Sequence, residues 1–291
     1  MQYRSFGKTG TRVSILSLGC MRFHDEGSAL EVVNAAVDNG INYFETSVGY
    51  LGGQSEVWLG KGLGQRRGEV LVSTKSHTIE RGEPVTADQV QRLMDNQLQK
   101  LNTDYVDFYH GWSVSRPPQY EACVKKGGWY EGVEKARAQG LVKHIGITTH
   151  APPDMIMDMI NDGRWEVITI QYSLLLQSYR DVIHAAHDKG IGIMIMGPLA
   201  GGLLALESQL LTTVFAPLPQ VNGALRYVLS DSAVSSVASG MVSVDEVVNN
   251  AAIVSELPTD LSISYQDQIN TRLIQNLGSD LTQFEQYFCG G

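Results

Sequence analysis

The sequence predicts an α/β chain folded as a (β/α)8 TIM barrel, with an N-terminal hairpin and a C-terminal helical tail. Short apolar runs alternate eight times with longer amphipathic segments, a pattern typical of a parallel sheet with crossover helices. Eight such units in about 250 residues match the size of a closed barrel. A doubly wound open sheet would carry a glycine-rich GxGxxG fingerprint after its first strand, and no such motif follows Gly19.

The predicted elements follow in order along the chain. The strands are mostly apolar runs, at Val13–Leu18, Asn42–Thr46, Val70–Lys75, Tyr105–His110, His144–Thr148, Val167–Gln171, Ile191–Met196 and Val234–Ala238. The helices have apolar residues at helical spacing, and several end at a glycine. They are Ala29–Asp38, Glu56–Leu63, Ala87–Leu101, Tyr130–Gln139, Pro153–Asn161, Tyr179–Lys189, Asn222–Leu229 and Val244–Ser255. We expect a single domain over residues 1–291, with the helical tail at about 258–291.

The composition argues against several classes of protein. A hydrophobic fraction of 43% in 291 residues is enough for a sizeable core. The net charge of -9 argues against nucleic acid as a partner. No apolar run reaches the roughly 18 residues of a membrane span, so we expect no membrane partner. The cysteines Cys20, Cys123 and Cys289 do not form a disulfide framework, and the N-terminus has no targeting signal, so we expect a cytoplasmic location.

Polar side chains follow three consecutive predicted strands. In a barrel of this kind, reactive groups come from the carboxyl ends of the strands and the loops behind them. Glu45 and Tyr50 follow the second strand, Lys75 ends the third, and His110 ends the fourth. An ammonium lowers the pKa of a nearby tyrosine, which can then protonate a carbonyl oxygen as hydride arrives. A structural Lys75–Glu45 ion pair and an interior His110 are the alternatives.

Several long motifs resemble those of the aldo-keto reductase family, over nearly the whole chain. The segment YRSFGKTGTRVSILSLGCMRF is similar to the family's hairpin and first strand, and NYFETSVGYLGGQSEVWLGKGL to its strand-2 motif. LVSTKSH and DYVDFYHGW resemble the next two strands. MGPLAGGLL and ALRYVLSDSAVSSVASGMVSVDEVVNNAA resemble the cofactor-binding end. The resemblance implies a nicotinamide-dependent oxidoreductase that transfers hydride to or from a small carbonyl or alcohol substrate, sugar-like as one option.

The resemblance implies Tyr50 as the acid and base and Lys75 as the group that tunes its pKa. The family's aspartate is Glu45 here, and its extra methylene matters because catalytic geometry is sensitive to about 1 Å. The family's histidine lies five residues beyond the position of Asp107, which is Trp112. Either a two-residue deletion puts His110 in the histidine's role, or Trp112 replaces the histidine. We favour His110 as catalytic, with Trp112 lining the substrate pocket.

The resemblance also implies a set of cofactor-binding residues. The family's glutamine for the nicotinamide amide falls at Thr169, and Gln171 shares the same strand face. The loop after strand 7 would bring backbone N–H groups to the pyrophosphate, and a helix N-terminus would hold the adenosine end. The full set is Met21, Thr148, Gln171, Met196, Pro198, Leu199, Ala200, Gly201, Gly240, Met241, Val242, Asp245, Asn249 and Asn250.

The cofactor is expected to be NAD or NADP, with NAD favoured. Members that prefer NADP place Arg or Lys where this chain has Val242, and Asp245 adds a negative charge. A 2′-phosphate would therefore lack a basic partner. A preference for NADP would require another cation, such as Arg226 or Arg272, to reach that phosphate.

The C-terminus and the altered site leave alternatives open. The chain ends in Phe288-Cys289-Gly290-Gly291, which resembles the start of the iron–sulfur segment of one family subgroup. One cysteine cannot hold a cluster, so no metal is predicted. The departures from the family pattern leave open a non-catalytic cofactor-binding subunit. They also leave open an enzyme that uses bound NAD for transient oxidation before elimination or hydrolysis. The sequence does not predict an oligomeric state.

Overall fold

Eight parallel strands close into a barrel, as predicted. The computed structural model describes residues 1–258 and 262–277. The barrel strands are β3 (Leu16–Gly19), β4 (Tyr43–Glu45), β5 (Leu71–Ser76), β8 (Val106–Gly111), β9 (Val142–Thr148), β10 (Val167–Gln171), β11 (Gly192–Met196) and β12 (Ser236–Ser239). Each lies beside the next along the chain, and β12 pairs with β3 to close the ring. The carboxyl ends of all eight strands therefore meet at one rim.

At least one helix follows every barrel strand. The helices are α1 (Glu26–Asp38), α2 (Gln54–Leu63), α3 (Ala87–Leu101), α4 (Pro117–Val124), α5 (Trp129–Ala138), α6 (Pro153–Asp162), α7 (Arg180–Asp188), α8 (Gln209–Phe215), α9 (Gln220–Leu229), α10 (Val244–Ser255) and α11 (Ser264–Leu277). Asp25, Thr86 and Ser243 start their helices by accepting a first-turn backbone N–H. None of the described helices is long and apolar enough to cross a membrane.

The first predicted strand, Val13–Leu18, is divided in the structure. Its start belongs to an N-terminal hairpin, in which β1 (Tyr3–Ser5) pairs with β2 (Arg12–Ser14), and the remainder forms β3. The break occurs at Ile15, and the side chain of the preceding Ser14 donates to the Leu16 carbonyl oxygen at 2.6 Å. Apolar periodicity cannot show such a break, because both parts are buried.

Three further segments of regular structure lie outside the predicted strands and helices. A small antiparallel hairpin, β6 (Ile79–Glu80) with β7 (Glu83–Pro84), extends the loop after β5. The helices α4 and α8 are short insertions after β8 and β11, with little helical periodicity in their sequences. The predicted helical tail is present as α11 up to Leu277, and the rest of that prediction lies outside the described residues.

Candidate active site

A cleft of about 480 Å³ opens at the rim where the strands end. Its walls come from almost every strand-to-helix loop of the barrel. The lining residues are Gly19, Met21, Arg22, Glu45, Tyr50, Lys75, Trp112, Ser113, Thr148, His150, Thr169, Gln171, Met196, Gly197, Pro198, Leu199, Gly201, Gly202, Ala238, Ser239 and Gly240. The cleft therefore contains three of the four predicted catalytic residues and most of the predicted cofactor contacts.

Lys75 reaches the base of this cleft from inside the barrel. Side chains alternate along β5, so Thr74 faces the helices while Lys75 faces inward. The side chain is only 3% exposed, and its Nζ contacts the Glu45 carboxylate. The same Nζ donates to the Thr46 carbonyl oxygen at 3.0 Å. The longer acid at position 45 therefore still holds the lysine.

Tyr50 lies beside this pair on a tight 3-10 turn, Tyr50–Gly53. The turn passes through left-handed conformations at Leu51 and Gly52, with φ of 54° and 64°. This sharp bend directs the Tyr50 ring back over the cleft. The Lys75 Nζ lies 4.4 Å from the centroid of that ring, which is a cation–π contact.

The pKa of Tyr50 departs from the sequence expectation. Burial raises it, so the side chain is a phenol at neutral pH, and this effect outweighs the lowering predicted from Lys75. The reason is geometric, because Lys75 faces the ring centre and is itself bound to Glu45. Burial also lowers the pKa of Lys75 well below its ordinary value.

The structure does not bring His110, the favoured catalytic histidine, to the wall of the cleft. His110 is 1% exposed and does not line the cleft, while Trp112 does. Residues 110 and 112 share a strand face, but His110 pairs in register with Lys75 and lies one layer below the rim. Its ring fits against Gly146, where a Cβ would lie 2.8 Å from His110 Cε1. Trp112 therefore takes the rim position of strand β8.

Trp112 covers one side of the candidate catalytic tyrosine. Its ring meets Tyr50 edge to face, with centroids 5.5 Å apart, and stacks on His77 at 4.3 Å. Gly49 makes room for it, because a Cβ there would lie 2.8 Å from the indole. The indole is thus held between Tyr50 and His77 at the cleft entrance, where a substrate pocket was predicted.

The predicted cofactor residues fall into three groups. Eight of them line the cleft: Met21, Thr148, Gln171, Met196, Pro198, Leu199, Gly201 and Gly240. Ala200 lines a smaller adjoining cavity with Gln171 and Gly197. Met241, Val242, Asp245, Asn249 and Asn250 lie outside the cleft lining, on the loop before α10 and on its first turns. The Met241 side chain packs into the core at 1% exposure, so it is not available as a contact.

The loop after β11 has the shape that a diphosphate needs. Gly201 and Gly202 have φ of 69° and 105°, and a Cβ on either would meet nothing within 4 Å. The backbone of Gly201 and Gly202 is therefore bare on its cleft side. Pro198 has no N–H, and Ala200 and Gly202 already donate to the Gly197 and Leu199 carbonyl oxygens at 2.8 and 3.0 Å, so the remaining N–H groups of the loop are the ones available to a ligand. With Met196 and Gln171 beside it, this wall fits a nicotinamide dinucleotide.

Thr148 and Gln171 differ in what they can offer such a ligand. The Thr148 hydroxyl already accepts the Ser113 N–H at 2.8 Å and lies 3.4 Å from the Gly111 carbonyl oxygen. Gln171 instead contacts the His150 ring through its amide nitrogen. Gln171 is thus the better of the two for holding a nicotinamide amide.

Sequence reasoning missed three residues at this site. Arg22 lines the cleft with its alkyl stem on Gly240, and His150 lines the wall near Gln171. The Glu246 carboxylate accepts the Val242 N–H at 2.8 Å, at the start of α10. The S-x-x-E pattern from Ser243 was the one available signal for Glu246.

No group of three or more metal-ligating side chains is found in residues 1–258 and 262–277. Cys20 and Cys123 are buried and free, and burial raises the pKa of both thiols. Cys289, on which the iron–sulfur resemblance depends, lies outside the described residues.

Known proteins resemble this chain in both sequence and fold. It is similar to L-galactose dehydrogenase of Arabidopsis thaliana, with 29% identity over 288 residues that cover 88% of this chain and 89% of the relative. It is 25% identical to a probable voltage-gated potassium channel subunit beta of Oryza sativa subsp. japonica, over 70% of this chain and 66% of that one. The holo form of aldo-keto reductase AKR11C1 from Bacillus halodurans superposes with a TM-score of 0.83 and 25% identity, covering 94% of this chain and 96% of that one.

The family assignment follows from a match over most of the barrel. The Aldo/keto reductase family profile covers residues 15–223, from the first barrel strand into α9. Such a match supports a nicotinamide-dependent oxidoreductase that acts on carbonyl compounds. The chain is a member of the aldo/keto reductase family.

Proposed function

We propose that this chain transfers hydride between a nicotinamide cofactor and a carbonyl or alcohol substrate, with Tyr50 as the acid and base. One observation carries the proposal: Lys75 contacts both Tyr50 and Glu45 at the base of a dinucleotide-sized cleft. When bound, the nicotinamide supplies or accepts the hydride. A sugar-like substrate is compatible with the name of the Arabidopsis relative, L-galactose dehydrogenase.

The protein's part in this reaction is to move one proton. Hydride addition to a carbonyl carbon leaves an alkoxide oxygen, which is a far stronger base than a phenolate. Tyr50 can therefore donate its proton although burial raises its pKa. The Lys75 ammonium over the ring stabilises the phenolate that remains, and Glu45 holds that ammonium in place.

Arg22 is a second cationic side chain in the cleft lining, after Lys75. Its guanidinium forms no recorded ion pair within the described residues, whereas Lys75 is paired with Glu45. We propose that Arg22 faces the cofactor diphosphate across from the glycine loop at 197–202. Charge-assisted contacts to phosphate of this kind are among the stronger hydrogen bonds.

The cofactor preference proposed for this chain is NAD. Glu246 occupies the Val242 N–H, so a carboxylate stands where a 2′-phosphate would bind. The two cations that could have compensated are engaged elsewhere. Arg226 lies over the Tyr265 ring at 4.4 Å, and Arg272 donates to the Ala216 carbonyl oxygen at 2.6 Å.

The substitution Tyr50→Phe tests the proposal. It removes the transferable proton but keeps the ring that contacts Lys75 and Trp112. We expect turnover of a carbonyl panel with NADH to fall by roughly 100- to 10,000-fold, with little change in the Kd for NADH. Stopped-flow reduction and fluorescence titration measure the two quantities. A variant that keeps half of the wild-type turnover would exclude Tyr50 as the donor.

Trp112 favours one second candidate, a cofactor-binding subunit without turnover. The indole covers Tyr50 at the rim position where the family has its histidine, and one relative is named as a channel subunit beta. In that case, wild-type protein would bind NADH but would reduce none of the carbonyl compounds in the panel. Recovery of turnover in Trp112→His would then identify the indole as the cause.

A further inference from the structure

Gln171 is the one side-chain amide that lines the cleft, within the part of the chain that the structure describes. It ends β10 and pairs in register with Met196 of β11, next to the glycine loop. A nicotinamide carries a carboxamide, which has both an N–H donor and a carbonyl acceptor. Which half of the Gln171 amide faces the cleft therefore decides how that carboxamide can pair.

His150 determines that orientation. The Gln171 Nε2 is in hydrogen-bond contact with His150 Nδ1. The backbone that carries His150 is fixed, since the His150 N–H donates to Ser115 Oγ at 2.8 Å and the Ala151 N–H to Thr149 Oγ1 at 2.9 Å. An unprotonated Nδ1 can only accept, so it binds the amide nitrogen and leaves Oε1 of Gln171 for the cleft.

We propose that neutral His150, with its ring proton on Nε2, is a positioning residue for the cofactor, because it holds Gln171 with its Oε1 ready to accept the N–H of the nicotinamide carboxamide. This inference rests on the proposed function. Protonation puts a hydrogen on Nδ1, and Gln171 must then turn its oxygen towards the imidazole. The cleft receives an amide N–H group in place of the acceptor.

The surroundings of His150 favour the neutral form. Burial lowers its pKa and is the one cause of that shift. The other titratable and charged side chains at this mouth are Arg22, Glu45, Tyr50, Lys75 and His77. Lys75 and Glu45 are paired with each other, and burial holds Tyr50 as a neutral phenol. His77 is exposed against Trp112, so it provides a matched control.

The test compares NADH with ADP-ribose, which has the same diphosphate and adenosine but no nicotinamide. Both are titrated by calorimetry between about pH 5.5 and about pH 8. Both ligands make the same diphosphate contacts and experience the same added charge, so these contributions cancel in the ratio of the two Kd values. Losing one neutral hydrogen bond should weaken NADH relative to ADP-ribose by roughly 2- to 10-fold as His150 is protonated.

Two variants identify the group responsible. In His150→Phe, the ratio should be independent of pH and remain at the weaker, acidic level. In His77→Phe, the wild-type pH dependence should persist. The inference would be overturned if the Kd ratio still depended on pH in His150→Phe. It would also be overturned if wild-type protein bound NADH but its Kd ratio did not change with pH. Either outcome would leave the proposed function standing. If wild-type protein bound neither ligand, the proposed function would fall with it.

Discussion

Both ring nitrogens of His110 are buried without a hydrogen-bond partner among the described residues. A buried polar atom left in this state costs about 1–3 kcal/mol of stability. Burial, and then the nearby Lys75, lower the pKa of His110 to about 3, so the ring stays neutral in the folded protein. His110 is thus a polar side chain in a core position, directly below the cleft.

The substitution His110→Leu should therefore stabilise the fold. At pH 7 we expect the free energy of unfolding to rise by about 1–3 kcal/mol, because two unsatisfied atoms are removed at similar volume. Below about pH 6.5 the unfolded chain binds a proton at His110 that the folded chain does not. As the pH falls further, the free energy of unfolding of wild-type protein decreases by about 1.4 kcal/mol per pH unit because of this site, and that of the variant does not.

Urea unfolding at about pH 7 and about pH 5 measures this difference, with NADH affinity as the control. The gain in stability should be larger at the lower pH, and the affinity should not move. A variant that gains no stability but loses carbonyl turnover would instead place the imidazole in the chemistry.

The sequence could predict which side chains reach this site but not their depth. Tyr50, Lys75 and Glu45 follow strand ends, and in a parallel barrel all strand ends meet at one rim. Residues 110 and 112 share a face by alternation, which gives no measure of height along the barrel. The height depends on the register of β8 against β5, which only the folded sheet defines.

At the scale of elements, the N-terminus of α10 is the part that bears on cofactor choice. Ser243 accepts the Glu246 N–H at 3.2 Å, and the Glu246 carboxylate turns back to the Val242 N–H. One orphan donor of the helix, the Glu246 N–H, is thus satisfied by the N-cap, and the Val242 N–H of the preceding loop is satisfied by the first turn. The same carboxylate places negative charge where a helix N-terminus would otherwise attract a phosphate.

The substitution Glu246→Ala should shift the cofactor preference towards NADP. It frees the Val242 N–H and removes one negative charge, so the ratio of the NADPH and NADH Kd values should fall by about 3- to 10-fold. The helix itself should lose roughly 0.5 kcal/mol of stability. Fluorescence titration of both cofactors gives the ratio, and Glu256→Ala at the far end of α10 is the control.

A ratio that does not change in Glu246→Ala would mean that the 2′-phosphate site lies elsewhere, with Arg22 as the next cation to test. The sequence showed Val242 and Asp245 as unfavourable for that phosphate. It did not show that the Glu246 carboxylate accepts the Val242 N–H. A capping pattern predicts where a helix starts, whereas the partner of its carboxylate depends on the path of the preceding loop.

At the scale of the whole molecule, the two ends of the barrel have separate tasks. The cleft lies at the carboxyl ends of the strands, and the N-terminal hairpin closes the opposite end. Arg4 anchors the hairpin to the barrel, because its guanidinium donates to the Leu229 and Val234 carbonyl oxygens, both at 2.6 Å. Lys8 adds a backbone bond to Gly190 at 2.8 Å. The hairpin is thus joined to segments from the later part of the chain, and it covers the end of the barrel opposite the cleft.

Phe6 fills the closed end from the loop between β1 and β2. Its ring is fully buried, 5.5 Å from Tyr43 and 5.1 Å from Phe108 between centroids, and it packs against Gly192. The substitution Phe6→Ala would leave a cavity at the centre of this aromatic group. Because rigid barrel strands limit how far the site can collapse, we expect a loss of about 3–5 kcal/mol in the free energy of unfolding.

The same variant should bind NADH with unchanged affinity at temperatures where it is folded, because the cavity opens at the end of the barrel away from the cleft. Denaturant unfolding and calorimetric titration measure the two quantities on one preparation. Tyr3→Phe, which removes only the exposed hydroxyl bond to Gly40, is the control and should cost less than about 1 kcal/mol. A Phe6→Ala protein that stayed folded but lost NADH affinity would show that the two ends of the barrel are coupled, contrary to this division.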